Sequence, residues 1–158
     1  MSDLQENAAG NTDVVQFVTV VIGGQLFGLP IERVHDVFMP DQMTQIPLAA
    51  DEIAGVLNLR GRIVTAIDMR RRLNLPPREK TDICMALGIE YRMESYGLII
   101  DQVGEVLNLQ GDSREASPAN LDPRWASVSG GVHRLEGQLM VILDVDRLLE
   151  KLTEPMAA

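Results

Sequence analysis

The chain has 158 residues and a formal net charge of −9 at pH 7, and this length suits one domain with a buried core or two very small ones. The acidic balance argues against a nucleic-acid partner, because phosphate contacts depend on a surface rich in Lys and Arg. Hydrophobic residues make up 46% of the chain but aromatic residues only 4%, so we expect an ordinary globular protein with an aliphatic core.

The N-terminal part predicts a short lead-in followed by a β-hairpin. Residues 1–13 are polar and lack an apolar export segment, so we expect them to be disordered and the protein to stay in the cytoplasm. A β-branched run covers residues 14–22, Gly23 and Gly24 form a two-residue turn signal, and residues 25–29 return. No run approaches 18 apolar residues, which argues against membrane insertion.

The stretch after this hairpin leaves one choice open. Pro30 ends the hairpin, and the apolar residues between 31 and 38 fall at helix-like spacing over about two turns, unless residues 34–37 form a short extended segment. Residues 40–47 predict a loop, and residues 51–54 predict one helical turn.

The centre of the chain is a second hairpin with an arginine in its turn. Two apolar runs between residues 55 and 68 meet at Asn58-Leu59-Arg60-Gly61. Residues 68–75 then predict a short helix that the prolines at 76 and 77 end. The charged link at 76–82 suggests a boundary between two halves, about 14–78 and 79–152.

The second half repeats the first. Phe27-Gly28-Leu29 matches Tyr96-Gly97-Leu98 at an offset of 69 (96 minus 27), and Gly55-Val56 matches Gly131-Val132 at an offset of 76 (131 minus 55). The seven extra residues fit a loop at 110–123 that is rich in Ser, Asn, Asp and Pro. We therefore interpret the chain as an internal duplication.

The rest of the second half predicts two more hairpins and a helix. Residues 83–91 pair with 96–100, residues 131–143 form the last hairpin, residues 145–152 form a helix, and residues 153–158 fray. Nine or ten short strands in two similar halves point to two small barrels. Because a half of about 70 residues is marginal alone, we expect the halves to share an apolar interface.

Motifs for catalysis, metal binding or phosphate binding are absent from the sequence. The two histidines, His35 and His133, lie far apart in sequence and away from Cys84, so a metal site or a Cys-His pair is not predicted. Cys84 lies in an apolar run, where a small buried side chain is the simplest interpretation. We predict no catalytic residue, no metal and no cofactor.

Four acidic residues recur symmetrically in the two halves, and two of them have a structural explanation. Asp68 and Asp144 each precede a predicted helix, where aspartate is a good N-cap. Asp36 and Arg60 are more informative, because Glu105 and Glu136 stand at the equivalent positions of the second half. An Asp36–Arg60 ion pair can therefore form only in the first half, where it would hold the Arg60 side chain in place for contact with a partner. The alternative is that Arg60 is simply a residue of the hairpin turn.

Basic residues concentrate around the central hairpin. Seven of the fourteen lie between residues 60 and 80. They form either a solvated basic face or a docking surface for an acidic protein. The seven are Arg60, Arg62, Arg70, Arg71, Arg72, Arg78 and Lys80.

Several segments together carry a family resemblance. Over residues 14–152 the chain resembles the CheW family of chemotaxis coupling proteins, and the Asn-Leu-Arg-Gly turn at 58–61 is a specific feature of that resemblance. The resembling segments are residues 27–31, 34–37, 46–47, 55–61, 67–70, 129–132 and 142–149.

The resemblance implies a mainly β fold and an adaptor function. The fold would be two five-stranded SH3-like barrels around a shared apolar interface, with strand exchange between the halves allowed and short helices that include one at the C-terminus. The protein would bridge a CheA-type histidine kinase, through the kinase's regulatory domain, to the cytoplasmic tips of methyl-accepting chemoreceptors, and it would reach the membrane-bound array only through these partners.

The resemblance also implies a receptor-binding groove near one barrel. Asp36 stands where many relatives carry the longer glutamate. By matching position, the groove residues are Val34, Asp36, Gly55, Asn58, Arg60 and Gly61.

Two other functions are compatible with the sequence. One is a CheW-like scaffold in another sensory or surface-motility system. The other is a small hydrolase or ligand-binding double barrel that uses Asp36, Asp68 or His35, which would need a convergent polar pocket with perturbed carboxylates.

Overall fold

The computed structural model describes residues 13–40, 43–79 and 83–153. This part of the chain is mainly β, and its ten strands form two five-stranded sheets in the order β8-β1-β2-β10-β9 and β3-β6-β7-β5-β4. We call them barrel 1 and barrel 2, and they have the SH3-like architecture that the resemblance implies. The predicted lead-in and C-terminal tail lie outside the described residues, apart from Asp13 and Thr153.

The element bounds are as follows. The strands are β1 (Val14–Ile22), β2 (Gln25–Pro30), β3 (Asp36–Phe38), β4 (Ile53–Leu59), β5 (Arg62–Asp68), β6 (Met85–Tyr91), β7 (Glu94–Ile100), β8 (Gln102–Gln110), β9 (Ser129–Leu135) and β10 (Gln138–Leu143). The helices are α1 (Met69–Arg72), α2 (Pro123–Ala126) and α3 (Val145–Thr153), and 3-10 turns cover Ile31–Arg33 and Gly111–Ser113.

Strands are exchanged between the two halves of the sequence. The hairpin β1–β2 lies in barrel 1 between β8 and β10, and the hairpin β6–β7 lies in barrel 2 between β3 and β5. Each exchange creates one parallel pair, β10 with β2 and β5 with β7. Because every barrel takes strands from both halves, neither half of the sequence can form a barrel alone.

One apolar core lies between the barrels, as the marginal size of each half predicts. Side chains alternate along a strand, so Leu98 and Ile100 of β7 enter this shared core whereas Ile99 enters barrel 2. Val141 of β10 likewise enters the shared core, and Met140 enters barrel 1. The core is aliphatic for the most part, as the composition predicts.

Two segments with helix-like spacing are strands or turns in the structure. Of the two alternatives left open for residues 31–38, the short extended segment is the one observed: after one 3-10 turn, β3 pairs with β6 and buries Phe38 inside barrel 2. The helical turn at 51–54 is wrong, because Ile53 starts β4 and pairs with Ile67. In both places pairing with a distant strand outweighs a weak local preference.

The predicted helix caps are present. Asp68 Oδ1 accepts from Arg70 N at 3.0 Å and begins α1, although this helix is shorter than the predicted 68–75. Asp144 Oδ1 accepts from Arg147 N at 3.1 Å where α3 begins. Helix α3 then buries Leu148 in the shared core.

Asp101, at the junction of β7 and β8, joins the two barrels. Its carboxylate accepts from Gly23 N in the β1–β2 turn at 2.9 Å, from Arg70 Nη2 at 2.6 Å and from Arg78 Nη2 at 3.0 Å. Burial alone would raise the pKa of this carboxyl, but the hydrogen bonds from Arg70, Gly23 and Arg78 outweigh it and lower the pKa to about 2. The ionised carboxylate therefore holds a turn of barrel 1, helix α1 and the link after it together.

Candidate protein-docking site

The turn between β4 and β5 presents Arg60 to solvent in a fixed backbone conformation. Leu59 pairs with Arg62 across the hairpin, and the two turn residues have φ of 52° at Arg60 and 85° at Gly61. Two consecutive left-handed residues are typical of a type I′ turn. Asn58 Oδ1 accepts from Gly61 N at 2.9 Å and closes the turn.

The left-handed conformation carries a cost at Arg60. A residue with a Cβ loses about 1–2 kcal/mol in this region, which glycine avoids. The chain nevertheless places an arginine at the first turn position and leaves its side chain 77% exposed. The same conformation occurs at Arg92 and Met93 in the turn between β6 and β7, so it fixes where the Arg60 side chain leaves the turn and does not by itself identify a partner contact.

An ion pair ties Arg60 to β3. Arg60 Nη1 lies 3.7 Å from Asp36 Oδ2, and the Asp36 side chain is 29% exposed. A pair with one exposed member contributes only about 0 to 1 kcal/mol to stability, so its main effect is to orient the guanidinium. Gly88, opposite Asp36 in β6, makes the room, because a Cβ there would collide with the Asp36 carboxylate.

Gly55 supports the site from the other end of the hairpin. It has φ of 153° at a bulge in β4, and a Cβ on it would lie 2.6 Å from the carbonyl oxygen of Thr44. Thr44 bridges to Val56 at this point through two backbone hydrogen bonds of 2.8 Å. Glycine therefore lets the preceding loop close against the hairpin.

The six predicted site residues divide into two groups. Asp36, Asn58, Arg60 and Gly61 meet at the hairpin turn. Gly55 pairs with Ala66, away from the turn, and Val34 packs against the shared core. The structure thus brings four of them together and gives Val34 and Gly55 supporting positions.

Further side chains lie beside the turn in addition to the six predicted groove residues. The mouth of barrel 2 encloses only about 20 Å³, lined in part by His35, Arg62 and Tyr96. Arg62 Nη1 donates to Ser95 Oγ at 3.2 Å, and His35 Nε2 lies 4.0 Å from Glu90 Oε1. A space that holds about one water suits the surface of a docked protein better than a small ligand.

The competing set of catalytic residues does not converge. Asp36 and His35 are at the mouth of barrel 2, whereas Asp68 caps α1 at the far end of β5. Seven strand residues separate those ends, a span of roughly 20 Å. Over the described ranges, no group of three or more His, Cys, Asp and Glu side chains could hold a metal ion.

The remaining histidine, His133, and the cysteine, Cys84, pack against the apolar interiors of the barrels. His133 is buried edge-on against Phe17, with Nδ1 3.3 Å from Ser113 Oγ, and burial lowers its pKa, with Arg114 adding to the effect. Cys84 is half-buried against the interior of barrel 2. Among the helices that the structure describes, none is long and apolar enough to cross a bilayer.

Comparisons with known proteins agree on one family. The family model described as a CheW-like domain matches residues 16–153. The chain is 27% identical over 136 residues to the chemotaxis protein CheW of Bacillus subtilis, covering 86% of this chain and 87% of that one. It is 27% identical over 149 residues to the chemotaxis protein CheW of Klebsiella aerogenes, covering 94% and 89%.

A solved structure extends this similarity to the fold. The crystal structure of the scaffolding protein TtCheW from Thermoanaerobacter tengcongensis matches with a TM-score of 0.74 at 28% identity, and the match covers 82% of this chain and 88% of that one. The similarity therefore extends over most of both barrels.

Proposed function

The chain belongs to the CheW-like family of chemotaxis scaffold proteins, and from this we propose that it couples chemoreceptors to a CheA-type histidine kinase. The receptor partner would be the cytoplasmic tip of a methyl-accepting chemoreceptor, and the kinase partner would be its regulatory domain. The protein would act by holding the two together without chemistry of its own, in the cytoplasm and attached to membrane-bound arrays through these partners.

The turn at Arg60 carries this proposal. A guanidinium fixed by a left-handed backbone and oriented by Asp36 is available to a carboxylate or carbonyl on a receptor helix. Val34, Asp36, Gly55, Asn58, Arg60 and Gly61 form or support this surface. The cavity at the mouth of barrel 2, beside this turn, has a volume of only about 20 Å³, which suits a protein partner better than a small ligand.

A three-component reconstitution tests the proposal. This chain, a CheA-type kinase and receptor-bearing membranes are mixed, and autophosphorylation of the kinase is measured with and without attractant. We expect receptor control of the kinase only when all three are present. Control that is complete without this chain would refute the adaptor function.

A charge reversal at the turn tests the site itself. We expect Arg60→Glu to weaken co-sedimentation with receptor membranes by about tenfold or more, because exposed arginines in interfaces are often dominant contacts. Arg134→Glu is the matched control, since Arg134 is an exposed arginine paired with Glu115 at 3.0 Å in barrel 1. Equal sedimentation of the two variants would reject the assignment of this surface.

A further inference from the structure

The inside of barrel 1 contains a histidine that neither the fold nor the docking site explains. His133 lies in β9 and is only 2% exposed. At the repeat offset of 76 its equivalent is Leu57 (133 minus 76), which packs in the apolar core of barrel 2. The second half therefore has an imidazole at a position where an apolar side chain is sufficient in the first half.

The hydrogen bonds around His133 determine which ring nitrogen carries the proton. The carbonyl oxygen of Gln110 can only accept, so Ser113 Oγ donates its single hydrogen to it at 2.8 Å. In the contact between Ser113 Oγ and His133 Nδ1 at 3.3 Å, the hydroxyl is therefore the acceptor and Nδ1 the donor. The neutral imidazole carries its proton on Nδ1, and Nε2 has a lone pair that accepts.

The surroundings of His133 keep the imidazole neutral. Burial lowers the pKa of His133, Arg114 adds to this effect, and Glu115 opposes it. Since the ordinary pKa of histidine is 6.5, a lowered value leaves the ring uncharged in most molecules at pH 7. Nε2 therefore keeps its lone pair under these conditions.

This nitrogen opens onto a cavity. Within residues 13–40, 43–79 and 83–153, Nε2 has no hydrogen-bond partner, yet it is not one of the side-chain atoms sealed from solvent without a partner. Those sealed atoms belong to Arg72 and Arg78. Because His133 lines a cavity of about 320 Å³ in barrel 1, we place the open side of Nε2 there.

Most of the cavity wall is apolar. The ring of Phe17 packs edge-on against the ring of His133, with the centroids 5.4 Å apart, and Ile142 adds to the wall from β10. The volume lies at the lower end of the range of about 300–1,000 Å³ that is usual for small-molecule sites. The apolar lining residues are Val15, Phe17, Pro30 and Ile142.

The two charged residues of the lining have opposite signs. Glu32 lies in the 3-10 turn after β2, Arg114 follows the turn Gly111–Ser113, and both are exposed. A charged ligand would be attracted by one of them and repelled by the other, and it would lose hydration against the apolar wall. The lining therefore favours a neutral ligand.

We propose that this cavity binds a small, neutral, largely apolar molecule that carries one N–H or O–H donor, with His133 Nε2 as the acceptor. The apolar wall buries the carbon skeleton of the ligand, and the lone pair fixes its orientation. A ligand without a donor would leave Nε2 without a partner. The site lies in barrel 1, whereas the turn at Arg60 lies in barrel 2, so the proposal goes beyond the coupling function.

A matched pair of probes tests the proposal on the full chain. Indole has one N–H donor, and 1-methylindole has the same ring system with that hydrogen replaced by a methyl group. Proton–nitrogen spectra follow the backbone amides of Phe17, Gly111 and His133. We expect saturable shifts with indole and a dissociation constant about three- to tenfold higher for 1-methylindole, because one hydrogen bond is lost.

Two variants test whether His133 is the acceptor. In His133→Leu, which introduces the residue found at the repeat position, indole should bind no more tightly than 1-methylindole. His35→Leu is the matched control, because His35 is the second of the two histidines and its side chain is 52% exposed in barrel 2. This control should keep the preference for indole. Dispersed amide spectra check that each variant is folded.

Nitrogen-15 spectra of the imidazole provide a test that needs neither variant nor ligand. They should show the proton of neutral His133 on Nδ1, and a proton on Nε2 would overturn the proposal. So would the absence of saturable shifts with indole, equal binding of the two probes by the native chain, a preference for indole retained in His133→Leu, or one lost in His35→Leu. Each of these results would leave the proposed coupling function intact, because the assays contain neither receptor nor kinase.

Discussion

A single buried position shows how the duplicated halves have diverged. Arg72 occupies the place that Leu148 fills in the second half, but it leaves Nε and Nη2 without acceptors. Buried donors without partners cost about 1–3 kcal/mol each, and apolar replacement of buried charge is often stabilising. Among the described residues, Arg72 is therefore a position at which an apolar side chain would suit the buried surroundings better than the arginine.

This contrast gives a prediction about stability. We expect Arg72→Leu to raise the free energy of unfolding by about 1–3 kcal/mol in urea titrations, because it removes the unpartnered donors and restores the residue found at the repeat position. Arg71→Leu, which changes an exposed neighbour, should stay within about 0.5 kcal/mol of the native value. A destabilised Arg72→Leu variant would show that the guanidinium contributes to the core.

Among the elements, the bulged strand β4 depends on a glycine. A Cβ on Gly55 would meet the Thr44 carbonyl oxygen at 2.6 Å, and one on Gly131 would meet the Glu115 carbonyl oxygen at 2.7 Å. We expect Gly55→Ala and Gly131→Ala each to lower the free energy of unfolding by about 1–3 kcal/mol. Gly130→Ala is the control, since its nearest contact would be 3.7 Å, and chemical denaturation that ranks all three equally would contradict this interpretation.

How well each element could be predicted depended on how local its determinants are. The hairpins β1–β2 and β4–β5 follow from Gly23-Gly24 and from Asn58 to Gly61, because the turn chemistry lies within the turn. The sequence left β3 undecided between helix and strand and predicted the start of β4 as helical, because the strand conformation of both depends on pairing with β6 and β5. The close contacts of Gly88 with Asp36 and of Gly55 with Thr44 involve other segments of the chain, so the local sequence does not predict them.

At the scale of the whole molecule, the sequence predicts the duplication and the shared core but not which strands pair. Repeat offsets show that two halves are alike, yet they do not distinguish separate barrels from barrels that exchange the hairpins β1–β2 and β6–β7. The Asp36–Arg60 pair was open to prediction because the repeat copies differ at both positions. The hydrogen bonds of the Asp101 carboxylate could not be predicted, since the three donors come from separate segments of the chain.

The carboxylate of Asp101 makes the joining of the barrels sensitive to acid. Its pKa falls from 3.8 to about 2 on folding, so the folded state binds this proton more weakly than the unfolded state. The associated stability is therefore present above pH 3.8 and lost as the pH falls through about 2. A shift of this size corresponds to about 2 kcal/mol, and the side chain is only 16% exposed.

We therefore expect the stability difference between the native chain and Asp101→Asn to shrink by about 2 kcal/mol between pH 4 and pH 2 in urea titrations. Asp146→Asn is the control, because the Asp146 side chain is 60% exposed and pairs with Arg33 at the surface. The free energy of unfolding of Asp146→Asn should differ little from that of the native chain between pH 4 and pH 2. A pH-independent difference for Asp101→Asn would mean that the contacts of Asp101 with Arg70, Arg78 and Gly23 do not depend on its ionisation.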